Sequence, residues 1–394
     1  MKVLFQILKL YKAEIFLLFW IFSLLGTVLY KTSLFYFQID HTIYLWITEI
    51  LFLFIIVLYF IKEKNFYAIK ILGLLFLIKL IGSLLVYERY LSHIDFYKDL
   101  VKTSFGYSFV FLMFYYLKSL DLKQVNKLFS FFKILCLIVY ITIFLGAVFS
   151  IKLFETYIGS RFGFSGIFFP SSYGSYFIII SILIFYFYSR YIQTIPAVYI
   201  VVASLAGVFT GTKSSYLFLT FFWAYIFFQD RYYKNTWFWT VFALAVINLL
   251  IFKEKILTIL EQKFAVLYDS YLKNDFITFA LSYRDVSAQK AKLFIQENWL
   301  FLNYLFGGVD RRQLLVEISL ADLFLNFGLV GTVIFFTAYT KLILSKLTKE
   351  NVIVFSFTLV FIITIMGGNF FDRFYLAYPL SLLFIICLQR KNIF

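Results

Sequence analysis

Residues 129–150 read FSFFKILCLIVYITIFLGAVFS, 22 positions in which Lys133 is the only charge. As a helix this stretch is about 33 Å long, enough to cross a hydrocarbon core of roughly 30 Å. Its apolar residues lie on all sides and not in one stripe, so it suits lipid and neighbouring helices better than the surface of a soluble domain. Similar runs recur outward along the whole chain. Reading apolar runs between polar breaks gives twelve expected spans: 13–30, 42–61, 66–87, 101–118, 129–150, 171–189, 195–210, 214–229, 236–252, 315–340, 352–366 and 374–389.

Composition agrees. Of 394 residues, 63% are apolar and 14% charged. Soluble domains are about half apolar and about a quarter charged. Disorder, a disulfide scaffold, a collagen-like chain and an ordinary soluble enzyme are thereby excluded. Cys136 and Cys387 both fall inside apolar runs and read as buried structural thiols. With only His41 and His93, a His-rich metal site is excluded. Lys2, Lys9 and Lys12 precede the first run without a small-residue cleavage site, which reads as a retained helix. The expected architecture is an all-α integral membrane protein of about twelve helices. It forms a single domain over 1–394, with one large loop, 253–314, between the ninth and tenth spans.

Orientation follows from the short loops. The segments on the N-terminal side carry sixteen Lys and Arg, against eight in the short segments opposite. This bias places both termini in the cytoplasm and the large loop outside. The formal charge of +15 is then mostly a topology signal. No basic soluble module is present, so nucleic acid is not an expected partner.

Four segments meet on the outer face, and the chemistry concentrates there. The first, Ser160–Tyr173, contains Arg161, Gly163, Gly166 and Pro170. Arg161 is either an anion ligand or a snorkelling anchor. The second is Thr210-Gly211-Thr212-Lys213-Ser214-Ser215, where a Lys beside hydroxyls at a helix start suits an anion. In the large loop, Ser282-Tyr283-Arg284-Asp285 has the form of a capping box before a helix reaching about Asn298. Arg284 in that first turn makes a diphosphate site, or else a solvated charge. Next come Leu305-Phe306-Gly307-Gly308, the cluster Asp310-Arg311-Arg312, and Glu317 and Asp322 at the head of the tenth span. Five residues apart, these two carboxylates do not share a helix face. Gly367-Gly368-Asn369-Phe370-Phe371-Asp372-Arg373 closes the set. Glu49 and Lys79, at similar depth in the second and third spans, are expected to pair.

Taken in order, these segments resemble the bacterial O-antigen polymerases and O-antigen ligases, integral-membrane glycosyltransferases with a GT-C-like architecture. The resemblance covers about Ser160 to Pro379. Arg161…Gly166-x-Phe168-x-Pro170…Tyr173 looks like the family's Arg-x-x-Gly-x-Phe-x-x-Pro loop. Thr210…Lys213-Ser214 is similar to its Thr-x-Ser-Arg-Gly motif, with Lys for Arg. Arg284, Phe306-Gly307-Gly308 and Glu317…Asp322…Gly328…Gly331 follow its large loop and next helix. Gly367-Gly368-Asn369-Phe370…Pro379 looks like its Gly-His-x-Phe…Pro segment, with Asn for His. Ligases of the family carry a histidine after the large loop. None follows His93 here, which favours the polymerases.

The resemblance implies a polysaccharide polymerase in the bacterial cytoplasmic membrane, working on O-antigen or capsule repeat units at the outer face. Donor and acceptor would both be polyprenyl-diphosphate-linked oligosaccharides. Membrane lipid, a chain-length regulator and a flippase of the same pathway would be its other partners. Neither metal nor cofactor is expected, because Arg161, Lys213, Arg284 and Arg311 neutralise the diphosphate. Glu317 or Asp322 serves the acceptor hydroxyl, and Asp310, Asn369, Asp372 and Arg373 support the site. Ligation to another acceptor and flipping of a lipid-linked oligosaccharide are the alternatives. A flippase should show repeat symmetry and helices broken at matched positions.

Overall fold

A computed structural model of the chain describes residues 10–37, 43–63, 66–89, 92–157, 162–167, 173–236, 239–240, 243, 272, 278, 281–311, 314–342, 350–366, 368, 370–371 and 373–389. Eight helices run from the N-terminus into the second half: α1 (Lys12–Phe37), α2 (Ile43–Lys62), α3 (Phe66–Leu85), α4 (His93–Leu117), α5 (Leu122–Phe149), α6 (Tyr173–Tyr191), α7 (Val198–Phe209) and α8 (Lys213–Gln229). The large loop contributes α9 (Arg284–Asn298) and α10 (Phe301–Phe306), and α11 (Ser319–Leu342), α12 (Asn351–Met366) and α13 (Phe374–Gln389) follow. Among the described helices, α1, α3, α4, α5, α6 and α11 each hold a stretch long and apolar enough to cross a bilayer. Most of the expected span 236–252 and most of 253–280 lie outside the described residues.

The expected fourth span, 101–118, begins eight residues earlier as a helix. Ser92 caps α4, its hydroxyl accepting the Asp95 backbone N–H at 3.2 Å. The first turns of α4 hold Asp95, Lys98 and Asp99, which read as loop by hydropathy although the cap had already started the helix.

Helices α4, α6 and α13 form the centre, α13 packing on both others. Within their most apolar windows 83% of α4 and 78% of α6 is buried, against 44% of α3, α5 and α11, which face outward. Rings fill this centre. Tyr378 of α13 stacks on Trp20 (5.8 Å) and Phe52 (6.0 Å) and meets Phe16 and Phe109 at 5.3 and 5.9 Å. Lipid is as apolar as these side chains, so van der Waals fit drives this packing, with about 0.5–1.5 kcal/mol from each well-placed ring pair.

One end of the bundle is closed by polar ties between helix ends: Lys12 Nζ to Ser119 Oγ (2.7 Å), Gln389 Nε2 to the Leu120 carbonyl (2.9 Å) and Lys127 to Glu14 (2.7 Å). At the other end, part of the large loop sinks into the bundle. The Gly308 N–H donates to the Leu325 carbonyl (3.0 Å), and Gly82 of α3 lies directly under Phe306 and Gly307. Residues 305–308 are thus wedged between α3 and α11. Opposite the wedge α11 is broken at Gly328 (φ 61°, ψ −166°), where a Cβ would come within 2.3 Å of the Leu305 carbonyl carbon.

Lys79 locks the wedge. Its Nζ donates to the Val309 carbonyl (3.0 Å) and to Asn326 Oδ1 (2.9 Å), and pairs with Asp99 at 2.8 Å. The expected Glu49–Lys79 pair is therefore corrected. Asp99 of α4 is the carboxylate of Lys79, while Glu49 lies within electrostatic reach of Lys102 and Arg373. Depth alone suggested the wrong partner, because α3 packs chiefly on α4 and much less on α2.

The wedge makes Gly82 intolerant of a side chain. A Cβ there would lie 2.4 Å from the Phe306 carbonyl oxygen, whereas one on Gly73 meets nothing within 4 Å. Gly82→Ala should lower unfolding stability in detergent by about 1–3 kcal/mol, and Gly73→Ala should be neutral or stabilising.

Candidate functional site

The wedge end gathers most of the expected motif residues. Glycines Gly163 and Gly211 bring the first two motifs into contact. A Cβ at Gly163 would stand 2.4 Å from the Thr210 carbonyl oxygen, and one at Gly211 2.1 Å from that of Phe162. The Phe164 N–H donates to the Phe209 carbonyl (2.8 Å) and Thr156 Oγ1 to the Thr210 carbonyl (3.0 Å). Ser165 of the first motif in turn abuts Gly174, the second residue of α6, so the 210–213 turn lies beside the start of that helix.

Lys213 opens α8 as expected, with Thr212 as N-cap. The hydroxyls beside it are already engaged: Thr210 and Thr212 both donate to Ser215 Oγ, at 2.9 and 3.1 Å. They shape the turn and do not stand ready for a ligand. Lys31, counted above only as a topological charge, is buried and donates to Ser165 Oγ (3.1 Å) and the Gly166 carbonyl, fastening the first motif to α1. Arg161 lies outside the described residues, as do Arg312, Asn369 and Asp372.

Arg284 is the first residue of α9, which runs to Asn298 as the sequence predicts. The expected capping box does not form. Ser282 and Tyr283 both take left-handed angles (φ 54° and 65°), and Asp285 accepts from Thr278 instead. Arg284 NH1 donates to the Leu281 carbonyl (3.2 Å), and NH2 reaches Glu317 Oε2 at 3.4 Å. This ion pair joins the start of α9 to the approach of α11. Its two ends differ in exposure, with 19% of the Arg284 side chain and 52% of the Glu317 side chain open.

Glu317 does not head a helix as expected; α11 starts at Ser319. Glu317 has φ 60°, and its carbonyl accepts the Gly368 N–H at 2.8 Å. Among the described residues five non-glycines have positive φ, and three of them (Ser282, Tyr283 and Glu317) flank the Arg284–Glu317 pair. Such angles persist only where surrounding structure enforces them, and they cluster at functional sites. Enforcement here is visible: Ser319 Oγ donates to the Gly368 carbonyl (2.6 Å), and Asp322 Oδ1 accepts the Val316 N–H (2.9 Å). Asp322 is 1% exposed and ties down the turn that presents Glu317. Asp310 and Arg311 are buried, next in the chain to the Val309 carbonyl that Lys79 holds.

Arg373 lies over the Tyr173 ring at 4.4 Å and donates to its hydroxyl. Tyr176, one turn further along α6, was not singled out in the sequence. It meets Phe370 ring to ring at 5.3 Å and packs on Gly368, and its hydroxyl lies beside Ser214 and within reach of Arg284. Ser165, Ser214, Arg284 and Gly368 therefore lie around the start of α6, while residues 305–308 pack on α3 and α11. No signal in one sequence separates Tyr176 from the chain's 31 tyrosines, since burial at a helix junction has no local signature.

Among the described residues no three His, Cys, Asp or Glu side chains come together as metal ligands. Comparison with protein-family models, curated proteins and solved structures gives no match to this chain.

Proposed function

We propose that the chain is a polysaccharide polymerase of the bacterial cytoplasmic membrane, extending O-antigen or capsule repeat units at its outer face. The observation that carries this reading is the Arg284–Glu317 pair, a largely covered guanidinium leading to an exposed carboxylate, at the bundle end where other motifs meet. In the reaction, an acceptor hydroxyl oxygen attacks C1 of the sugar bonded to the donor diphosphate. The C1–O bond breaks, its electron pair stays on the diphosphate, and the hydroxyl proton passes to Glu317. A diphosphate is already a good leaving group, so the protein's task is to stabilise negative charge developing on it. Arg284 and Lys213 serve that purpose, with Arg161 and Arg311 as further cations. Glu317 acts as general base, and Asp322, Asp310, Asn369, Asp372 and Arg373 maintain the surroundings.

One observation favours transport instead, the break in α11 at Gly328. Among the described helices, α13 also carries a helix-disfavouring residue, Pro379. Both lie in the C-terminal third, not at matching places in two halves, so the pattern of an inverted-repeat transporter is not met. In cells lacking the protein, polymerase loss predicts single unpolymerised units on the lipid carrier at the outer face. An inward-facing pool of those units would overturn the reading in favour of a flippase.

Glu317→Gln should reduce single-turnover transfer by about 10²–10⁴-fold. Donor affinity should stay near that of the parent, because the amide keeps the side-chain shape. A variant that transfers normally would remove Glu317 from the chemistry and leave Asp322, Asp310 or Asp372 to be examined.

A further inference from the structure

The segment that carries the wedge also holds an apolar surface that the core does not use. Its inner side is pinned. Asn303 is buried, its Oδ1 accepting the Leu300 N–H and its Nδ2 donating to the Gly307 carbonyl, both at 2.9 Å. Trp299 donates to the Gly308 carbonyl (3.0 Å) and packs with Ala291, Val309, Val316 and Leu325 in a small core of its own. With that side fixed, Leu300, Phe301, Leu302 and Tyr304 remain outside, and Phe301 is 76% exposed and Leu300 66%. Contiguous exposed apolar groups of this kind mark a contact surface.

Depth decides what covers them. Helix α3 has 20 residues and is about 30 Å long, the thickness of a hydrocarbon core. Gly82, directly under Phe306 and Gly307, stands three residues, or about 5 Å, inside the end of that helix. Phe301 precedes Phe306 by five residues of α10, so it lies at most about 8 Å further out, whichever way α10 points. That keeps it within the interfacial layer, which is roughly 5–7 Å thick on each side of the hydrocarbon. The two spans beneath are apolar and exposed up to the same level. On α3 these residues are Leu77 and Leu84, and on α11 they are Val333 and Leu329, which follows the Gly328 that abuts Leu305.

We propose that α10 is seated in the membrane leaflet at the wedge end, with Leu300, Phe301 and Leu302 against acyl chains and Tyr304 at the headgroup level. This surface goes beyond the polymerase reading and stands without it. An interfacial helix buries its apolar face about 5–10 Å into the boundary between headgroups and acyl chains, which matches the depth set by Gly82.

Spin labels on single cysteines test the placement. Phe301→Cys and Leu302→Cys are labelled in the full-length protein, reconstituted in phospholipid nanodiscs. Access of oxygen, which concentrates among acyl chains, is compared with access of a water-soluble nickel chelate. Leu77→Cys on α3 supplies the lipid reference, and Lys123→Cys, exposed at the first turn of α5, supplies the water reference. Cys136 and Cys387 are buried, and the labelled parent measures their background. At 301 and 302 oxygen access should exceed nickel access, as at Leu77. Nickel access as high as at Lys123 would overturn the proposal by placing the patch in water. Low access of both reagents would also overturn it, by showing that protein covers the patch, either a second copy of the chain or another of its segments.

Discussion

Arg284→Ala is expected to reduce glycan transfer by about 10²–10³-fold while the protein remains folded in the membrane. That range is the usual cost of removing one preorganised group that stabilises transition-state charge. The fold should survive, because the guanidinium holds only the Leu281 carbonyl and Glu317, the latter in a pair whose carboxylate is half open to solvent. Exposed pairs contribute little to stability. Arg284→Lys should recover little of the loss. A lysine carries the charge but cannot engage Leu281, Glu317 and a diphosphate oxygen from one planar group. Transfer rates and membrane levels measured on the same preparations decide the matter, and a fully active Arg284→Ala protein would exclude the residue from the mechanism.

The largest effect on stability is expected at Lys79. Its ammonium group is completely buried, with Asp99, Asn326 and the Val309 carbonyl as partners. Lys79→Met leaves the Asp99 carboxylate in the interior without its cation, although Thr103 Oγ1 still donates to it. Breaking one side of a buried pair typically costs about 3–5 kcal/mol, and replacing both partners by apolar groups costs much less. Thermal unfolding in detergent should therefore show Lys79→Met strongly destabilised and Lys79→Met/Asp99→Leu largely restored. If the double variant is no better than the single one, the pair is not what holds the wedge to α3.

These residues also show what could be read from the chain. Helices with apolar cores announced themselves by hydropathy, because lipid contact demands long apolar runs. Helix α9 was legible down to Arg284 and Asn298 because its polar sequence stops at Trp299 and begins after a turn. The early start of α4 was encoded in Ser92 and Asp95 but masked by the charges that follow. Partnerships between helices were not legible. Nothing local to Lys79 distinguishes Asp99 from Glu49, and only the packing of α3 on α4 does. In the site, order along the chain singled out Lys213, Arg284 and Glu317. The contact of the first two motifs through Gly163 and Gly211, the left-handed turn at Glu317 and the place of Tyr176 depend on distant backbone. A single sequence carries no trace of them.

Reconstitution separates polymerisation from every other reading. Purified protein in liposomes is given a defined polyprenyl-diphosphate-linked repeat unit, and the glycan length of the lipid-linked product is measured. A polymerase should give a ladder of products growing by whole repeat units, with free polyprenyl diphosphate released once for each addition. Recovery of the substrate at its original length, under conditions where it binds the protein, would contradict it.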